Sequence, residues 1–283
     1  MSICKYCEKN EAIKNSHVLP RFIFDWLKKT SATGAMHFLL NLNQRAQDGI
    51  KIDLFCSKCE LKFSKYENSF KKNVFSKIAN YRQQNEIIYL NELDKKCIYS
   101  IAWRVLSWAF NYKKMDQFHS DEIDLIPKYL KVLKNATETG QSKEVKTYII
   151  PLTEKTIRKS NLPRGDFMYY DRIIGMEPRI YDDFQRLFLY IKLPFILIVT
   201  ELISCSEDIG TVPQMEDISE INPSDDYIIP DYIHDQINYF YSKDVESKDK
   251  ISPEQIKLIQ RDLQKGNTEN GSFKTIMKNY MDV

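Results

Sequence analysis

The segments Cys4-Lys5-Tyr6-Cys7 and Cys56-Ser57-Lys58-Cys59 are two Cys-x-x-Cys hooks, one near the N-terminus and one about fifty residues later. Each two-residue spacer lets both cysteines of a hook turn toward one ion, and four thiolates complete a tetrahedral zinc shell. The sequence therefore predicts a structural zinc site with all four cysteines as ligands. Because a closed four-sulfur shell leaves no position for water, any chemistry must come from residues that the site holds in place.

Length and composition indicate a folded chain in a reducing compartment. The chain has 283 residues, of which 43% are hydrophobic and 28% charged, enough for a substantial core. It contains no apolar run of about 18 residues and no signal-type N-terminus, so we expect neither a membrane span nor export. Outside the hooks, Cys97 and Cys205 stand singly in apolar surroundings and are predicted to be buried thiols. A cytoplasmic location fits best, and disulfides are the alternative.

Charge is unevenly distributed along the chain. Residues 1–90 hold 15 Lys and Arg against 8 Asp and Glu, whereas residues 201–250 hold 3 against 13. The basic N-terminal part could approach a polyanion, and the acidic segment could repel one or dock on the basic part. The alternative is that both are ordinary solvated surfaces.

The hooks are embedded in short, alternating elements. Residues 20–29 place apolar side chains at helical spacing behind a proline, which predicts a short helix. Residues 36–42 and 50–55 predict two strands around the turn-prone Gln47-Asp48-Gly49. After the second hook the period becomes helical. Glu60 and Glu67 then share one helix face, which we expect to lie opposite His17, and an apolar stripe of Phe70, Val74 and Ile78 continues beside it.

These features resemble the HNH, or ββα-metal, endonucleases. Zinc-supported members of that family carry a Cys-x-x-Cys hook, an Asp-His or His-His pair followed by a proline, and a second hook. The present chain has Ser16-His17 with Pro20 between its hooks, and Glu60 directly after the second. It also looks like a group of bacterial proteins with a Cys-x-x-Cys, Ser-His-x-x-Pro, Cys-x-x-Cys-Glu pattern, in which Phe63, Glu67 and residues 100–104 would be further signature positions. The resemblance covers about the first 110 residues.

The resemblance implies a mechanism and its site residues. His17 would be the general base that activates water against a phosphodiester, while one Mg or Mn ion stabilises the developing charge. Ser16 and Glu60 stand where the family has metal-binding side chains, and Asp53 is the nearest polar residue to the family's missing Asn. Glu60 and Glu67 would supply oxygen ligands. Alternatively, Glu60 only favours the helix N-terminus, Glu60 and Glu67 are solvated or paired with an arginine, and His17 only hydrogen-bonds a carbonyl of the zinc module and packs on the helix that begins at Pro20. The candidate nucleic-acid contacts are Arg45, Lys58, Lys62 and Lys65.

The rest of the chain predicts a central helix, a sheet and further helices. Residues 94–110 are apolar around most of a helix, so this helix should be buried. Its Arg104 either emerges toward an acidic partner or phosphate, or covers apolar surface with its stem. The predicted strands are 145–152, 167–174, 187–193 and 195–202, with Pro194 either at a hairpin turn or inside one bent strand. Residues 204–230 predict an acidic linker, and helices should follow at 232–241, 252–265 and the C-terminus.

The sequence therefore predicts an α+β protein with three parts. These are a zinc-stapled ββα-like module at 1–90, a central helical region at 91–140, and a C-terminal region at 141–283 with a small antiparallel sheet. The preferred function is a metal-dependent, HNH-like endonuclease acting on DNA, with RNA as the other substrate. Bacterial defence against phage is a setting implied only by the resemblance. The alternatives are a non-catalytic zinc-knuckle module that binds nucleic acid or protein, and a regulatory subunit. A protein partner or a homo-oligomer is compatible with each.

Overall fold

A computed structural model of the chain describes residues 2–38, 41–81, 84, 86–113, 118–181, 186–204, 212–265 and 271–280. In these ranges the fold is α+β with small antiparallel sheets, as predicted. Its helices are α1 (Arg21–Lys29), α2 (Ser57–Phe70), α3 (Ser76–Ile78), α4 (Glu92–Tyr112), α5 (Ser120–Thr139), α6 (Glu154–Lys159), α7 (Phe167–Arg172), α8 (Asp231–Lys248), α9 (Pro253–Lys265) and α10 (Gly271–Tyr280). Its strands are β1 (Ser16–His17), β2 (Met36–Phe38), β3 (Asn41–Ala46), β4 (Lys51–Ile52), β5 (Ile88–Tyr89), β6 (Lys146–Pro151), β7 (Gly175–Tyr181), β8 (Arg186–Leu193), β9 (Ile196–Ile203) and β10 (Glu220–Ile221).

Helix α4 is the buried centre of the molecule, as its apolar circumference predicts. Its N-terminus is closed by a reciprocal pair of hydrogen bonds. The Asn91 side chain accepts from the Asp94 amide at 2.9 Å, and the Asp94 carboxylate accepts from the Asn91 amide at 3.0 Å. The pair satisfies N–H groups that a helix leaves without partners in its first turn. Helices α2 and α5 pack against α4 and enclose it.

Strands β6, β9, β8 and β7 form, in that spatial order, a four-stranded antiparallel sheet. Successive side chains of a strand point to opposite faces. On one face Ile149 and Leu189 join the apolar core around α4 and the zinc-hook module. On the other face Tyr190 and Leu197 join a second core with α6, α7 and α8. Because helices cover both faces, β8 and β9 are buried along almost their whole length.

The first core draws residues from all three regions that the sequence predicts. It includes side chains of the hooks, of α4 and α5, and of the sheet. The regions therefore share one apolar interior, and their boundaries stay a prediction. Cys97 is buried within this core, whereas Cys205 and the part of the acidic linker at 205–211 lie outside the described residues.

A two-residue turn, Pro194 and Phe195, joins β8 to β9, so the hairpin interpretation of this apolar run is confirmed. Phe195 has a φ of +61°, a conformation that costs a non-glycine residue about 1 kcal/mol or more. Its surroundings hold it there. The Phe195 amide donates to the Tyr170 carbonyl at 3.0 Å, and its buried ring packs edge-on against Trp26 and Tyr81.

The predicted strand at residues 167–174 is wrong, because helix α7 forms there instead. Asp166 caps this helix by accepting a hydrogen bond from the Met168 amide at 2.8 Å. Tyr169 and Tyr170 then reach the second core and are fully buried. Local capping and tertiary packing thus override the β preference of aromatic residues. The fourth strand of the sheet is β7, at the edge, where a proline is tolerated.

The N-terminal module has the predicted strand-strand-helix order, but its strands have different partners. The expected pairing of residues 36–42 with 50–55 is wrong. Strand β1 pairs antiparallel with β4, which places His17 opposite Lys51, while β2 and β3 pair with each other in a separate hairpin. Helix α1 and this hairpin are therefore an insertion between the two strands of the module. Helix α2 begins five residues after β4.

Helix α2 continues into a π-helical turn, Lys71–Phe75, before α3. Phe70, Val74 and Ile78 are fully buried, which confirms the predicted apolar stripe. The wider turn also brings Phe75 into the core. Across the described part of the chain, every helix is too short or too polar to span a lipid bilayer.

Candidate metal centre and the adjacent His17–Asp48 pair

The four hook cysteines form one compact cluster. Their sulfur atoms all lie within 4.8 Å of one another, with Cys4 Sγ 3.8 Å from Cys59 Sγ and Cys7 Sγ 3.7 Å from Cys56 Sγ. A tetrahedral zinc with Zn–S bonds of about 2.3 Å places its sulfur ligands about 3.8 Å apart. The cluster can therefore hold a metal ion such as zinc, as the spacing of the hooks predicts.

Backbone hydrogen bonds bring the two hooks together. The Lys5 amide donates to the Leu54 carbonyl at 2.9 Å, and the Ile13 amide donates to the Phe55 carbonyl at 2.7 Å. These bonds join the first hook to the segment that leads into the second. Cys56 then stands at the N-terminus of α2, so the first turn of the helix presents Cys59 on the same side. The metal site is thus a property of the whole N-terminal module.

The thiols differ in their tendency to ionise. Burial opposes ionisation of Cys7, but the backbone N–H groups of Lys9 and Asn10 outweigh it and lower the pKa of Cys7 to about 6. Burial raises the pKa of both Cys4 and Cys59 above the ordinary value of a thiol. Two of the four sulfur atoms therefore become thiolates readily only beside a cation, which is the environment that a bound zinc ion provides.

His17 belongs to β1 of this module and contacts a carboxylate that sequence reasoning missed. His17 Nε2 is 3.0 Å from Asp48 Oδ1, and both side chains are about one-fifth exposed, at 18% and 24%. The Phe24 ring stacks on the imidazole with 6.1 Å between ring centres. The contact is electrostatic, since Nε2 makes no well-aligned hydrogen bond to the described residues. A histidine oriented by a carboxylate is the arrangement of many general bases.

Asp48 is held as an anion by its neighbours. Burial acts to raise its pKa, but Lys51, the Gly49 amide and His17 together keep the pKa below its usual range. Lys51 Nζ lies 2.6 Å from Asp48 Oδ2, and the Gly49 amide donates to Oδ1 at 2.8 Å. Since Lys51 is also the cross-strand partner of His17, a lysine, an imidazole and a carboxylate share this edge of the module.

Gly49 allows the Asp48 loop to approach Phe24. A Cβ atom added to Gly49 would lie 2.1 Å from Phe24 Cζ, a distance that forces the ring to move. We expect Gly49→Ala to displace Phe24 and lower the free energy of unfolding by about 1–3 kcal/mol, as measured by urea denaturation. Gly175→Ala is the matched control, because its nearest contact would be an ordinary 3.7 Å. Equal stability of the two variants would contradict the close approach.

The predicted catalytic carboxylates do not gather around His17. Glu67 Oε1 lies 2.7 Å from Nη1 of Arg104, whose buried guanidinium lies over the rings of Phe55 and Phe63. Glu60 lies in the first turn of α2, partly exposed, with no ion pair to the described residues. Within the same part of the chain, the four cysteines are the one group of three or more potential ligands close enough to share an ion. The arrangement therefore gives no support to an Mg or Mn site built from His17, Glu60 and Glu67.

The contacts of Arg104 and Asp53 also differ from those expected from the sequence. Arg104 neither emerges at an edge nor only covers apolar surface, because its buried guanidinium pairs with Glu67. Asp53 does not approach His17 through any hydrogen bond or ion pair in the described residues. It accepts a hydrogen bond from the Asn15 amide at 3.2 Å and so fixes the loop before β1. The residue beside His17 is Asp48, which the sequence marks only as part of a turn.

The four predicted nucleic-acid contacts fall into two groups. Arg45 forms an ion pair with Asp262 of α9, and Lys62 forms one with Glu138 of α5. Lys58 and Lys65 are exposed on α2 and make no ion pair within the described ranges. A phosphate would have to compete with a carboxylate at the first two residues but not at the last two.

Comparison of the chain with models of known families, with characterised proteins and with solved structures finds no significant match.

Proposed function

We propose that the chain is an HNH-like, metal-dependent endonuclease that hydrolyses phosphodiester bonds in DNA, with His17 as its general base. The observation that supports it most is the contact of His17 with the ionised Asp48, on a strand pair that leads directly into the four-cysteine site. Zinc bound by the four cysteines would be structural, because no ligand position stays open. A reducing cytoplasm would keep these thiols available, and phage defence is the setting that the resemblance implies.

The residues at this edge have complementary roles in such a reaction. His17, beside Asp48, would accept a proton from water as the water attacks phosphorus, and the bond from phosphorus to the leaving sugar oxygen, which takes up a proton from solvent, would break. Lys51, on the neighbouring strand, would offset charge on the phosphate oxygens. The described residues do not gather oxygen ligands around His17, so no step is assigned to Mg or Mn. That the reaction requires Mg or Mn is part of the proposal, and the nicking assay measures this requirement directly.

The decisive experiment uses zinc-loaded protein and supercoiled plasmid DNA. We expect nicking with Mg or Mn in the buffer, and a loss of about 10²–10⁴-fold in rate for His17→Ala, the usual contribution of a general base. Asp48→Asn should lose less, because the imidazole stays in place without its charged partner. Zinc content and the far-UV spectrum should not change. Equal nicking by wild type and His17→Ala would assign the activity to a contaminant and reject the proposal.

The outer face of α2 would carry the nucleic-acid contacts. Lys58 and Lys65 lie two helical turns apart, about 10 Å, and Lys72 follows in the π-helical turn, exposed like the other two. Glu67 does not neutralise this face, because it pairs with Arg104. A row of lysines without carboxylate partners in the described chain is suited to a phosphate backbone, whose contacts carry no sequence information.

A salt titration tests this face separately from catalysis. In the His17→Ala background, the triple change of Lys58, Lys65 and Lys72 to Ala should reduce the slope of log K against log salt by about 2–3, since each phosphate contact contributes about 0.9. The matched control changes Lys131, Lys155 and Lys257, three exposed lysines of other helices. Identical slopes for the two triple variants would show that the nucleic-acid contacts lie on another surface. Tighter binding of an RNA duplex or strand than of DNA would indicate RNA as the substrate class.

A second candidate is a non-catalytic zinc-knuckle module that binds nucleic acid or a partner protein. The pairing of Glu67 with Arg104 favours it, because this carboxylate is neutralised by a buried guanidinium and is not available to a metal ion. It predicts DNA binding that is unaffected by His17→Ala and no nicking with any divalent cation. Absence of both binding and nicking would favour the regulatory or structural subunit instead.

A further inference from the structure

Helix α1 has a C-terminus that is capped by distant parts of the chain. Its last residues are followed by Thr30, with a φ of −97° and no glycine to close the helix. Arg172 Nη2 donates to the Leu27 carbonyl at 2.7 Å, and Arg172 Nη1 donates to Thr30 Oγ1 at 3.0 Å. The Ser272 amide of α10 donates to the Thr30 carbonyl at 3.0 Å. A cation and an N–H donor thus satisfy carbonyls that a helix leaves open at its negative end.

The C-terminal helix α10 keeps Arg172 in this place. Arg172 is nearly buried, with its guanidinium over the Trp26 ring at 5.4 Å. The residue before it, Asp171, is fully buried and accepts hydrogen bonds from Thr275 at 2.8 Å and from Lys278 at 3.0 Å, both on α10. A buried carboxylate is costly without such partners. Docking of α10 therefore stabilises the end of α7 beside α1.

Helix α1 in turn contacts His17 and the residue before Asp48. Phe24 stacks on the His17 imidazole, with the two rings inclined by 26°. Lys28 Nζ donates to the Gln47 carbonyl at 3.5 Å, next to Asp48 in the chain. A helix of nine residues moves as a unit, so a displacement of its C-terminus would also displace Phe24 from His17 and Lys28 from Gln47.

We propose that Arg172 is a positioning residue for the His17–Asp48 pair, acting through α1, and that α10 holds Arg172 in place. No contact between Arg172 and either member of the pair is seen in the described residues, so its influence passes through the helix. The catalytic consequence rests on the proposed function, whereas the structural coupling does not. The His17–Asp48 pair then requires the capping of α1 by Arg172, a residue that lies outside the N-terminal module.

The test follows the His17 ring without any substrate. Full-length, zinc-loaded protein with isotope-labelled histidine gives the imidazole signals by NMR, and His17→Ala identifies the signal of His17. We expect Arg172→Met to shift this signal and to raise amide exchange in residues 21–30 by about tenfold or more. Arg172→Lys should be intermediate, because one ammonium does not reproduce the planar two-donor fork.

Changes on α10 provide the second variant and the control. Lys278→Met removes a donor from Asp171 and should move the His17 signal in the same direction as Arg172→Met. Lys274→Met makes the same change on the same helix, at a lysine with no ion pair in the described chain, and should match the wild type. If Arg172→Met fails to fold, Lys278→Met decides.

Two results separate this inference from the proposed function. Faster exchange in α1 with an unchanged His17 signal, in Arg172→Met or in Lys278→Met, would overturn the coupling while leaving the nuclease proposal untouched. A shifted His17 signal in a protein that never nicks DNA would support the coupling and reject the nuclease.

Discussion

Removal of the metal ion from the four-cysteine site is expected to unfold the N-terminal module. Structural zinc contributes about 10–16 kcal/mol in small zinc-dependent units, as much as the whole stability of an ordinary domain. Burial raises the pKa of Cys4 and Cys59, so without a cation both thiols stay protonated, and the two hooks lose the metal–sulfur bonds that would join them. We expect chelation to abolish amide-exchange protection in β1, β4 and α2.

The same experiment has an internal comparison. Cys59→Ser should reproduce the effect of chelation and bind less than stoichiometric zinc by mass spectrometry. Cys97→Ala removes a buried thiol outside the cluster and should keep full zinc content. The second core, on the far side of the sheet, contains no hook residue and should retain its protection. A melting curve that is unchanged after complete chelation would show that the ion does not support the fold.

Replacement of Arg104 by Ala is expected to lower the free energy of unfolding by about 3–5 kcal/mol, the usual cost of breaking a buried ion pair. The Arg104 side chain is 3% exposed and Glu67 is 20% exposed, so the change leaves a largely buried carboxylate without its cation. It also removes a guanidinium that packs over the rings of Phe55 and Phe63, next to the second hook. Urea denaturation of zinc-loaded protein measures the loss.

The double variant Arg104→Met with Glu67→Gln is the informative control. It removes both charges and keeps most of the apolar volume, so it should recover a large part of the stability that the single change loses. Nε and Nη2 of Arg104 have no hydrogen-bond partner among the described residues, so burial of this ion pair carries a desolvation cost that the double variant removes. A single variant within about 0.5 kcal/mol of wild type would place the pair in solvent instead.

The features that the sequence predicts well are set by local spacing. The hooks require only that two residues separate each pair of cysteines, and their sulfur atoms do cluster. Helix α4 follows from apolar residues around most of its circumference. The apolar stripe through Phe70 and Val74 depends on helical period alone. In each case the physical cause lies within a few residues.

The features that it misses depend on which distant segments meet. Asp48 reaches His17 because β1 pairs with β4, and no local pattern distinguishes that partner from the hairpin strands. Pairing with an arginine is one of the alternatives for Glu67, but only the packing of α2 against α4 identifies Arg104 as its partner. Residues 167–172 have the composition of a strand, but the Asp166 cap and the second core select a helix. Register and tertiary partners, not propensity, decide these cases.

The insertion between β1 and β4 has a consequence for how the molecule is made. During synthesis the first hook emerges from the ribosome before the second, and it supplies only two of the four sulfur ligands that the ion needs. Helix α1 and the β2–β3 hairpin must emerge before the other two ligands exist. We therefore expect ion binding, pairing of β1 with β4 and the start of α2 to occur together, after residue 59 has emerged. In a nascent chain that stops before residue 59, strand β1, which carries His17, would not form.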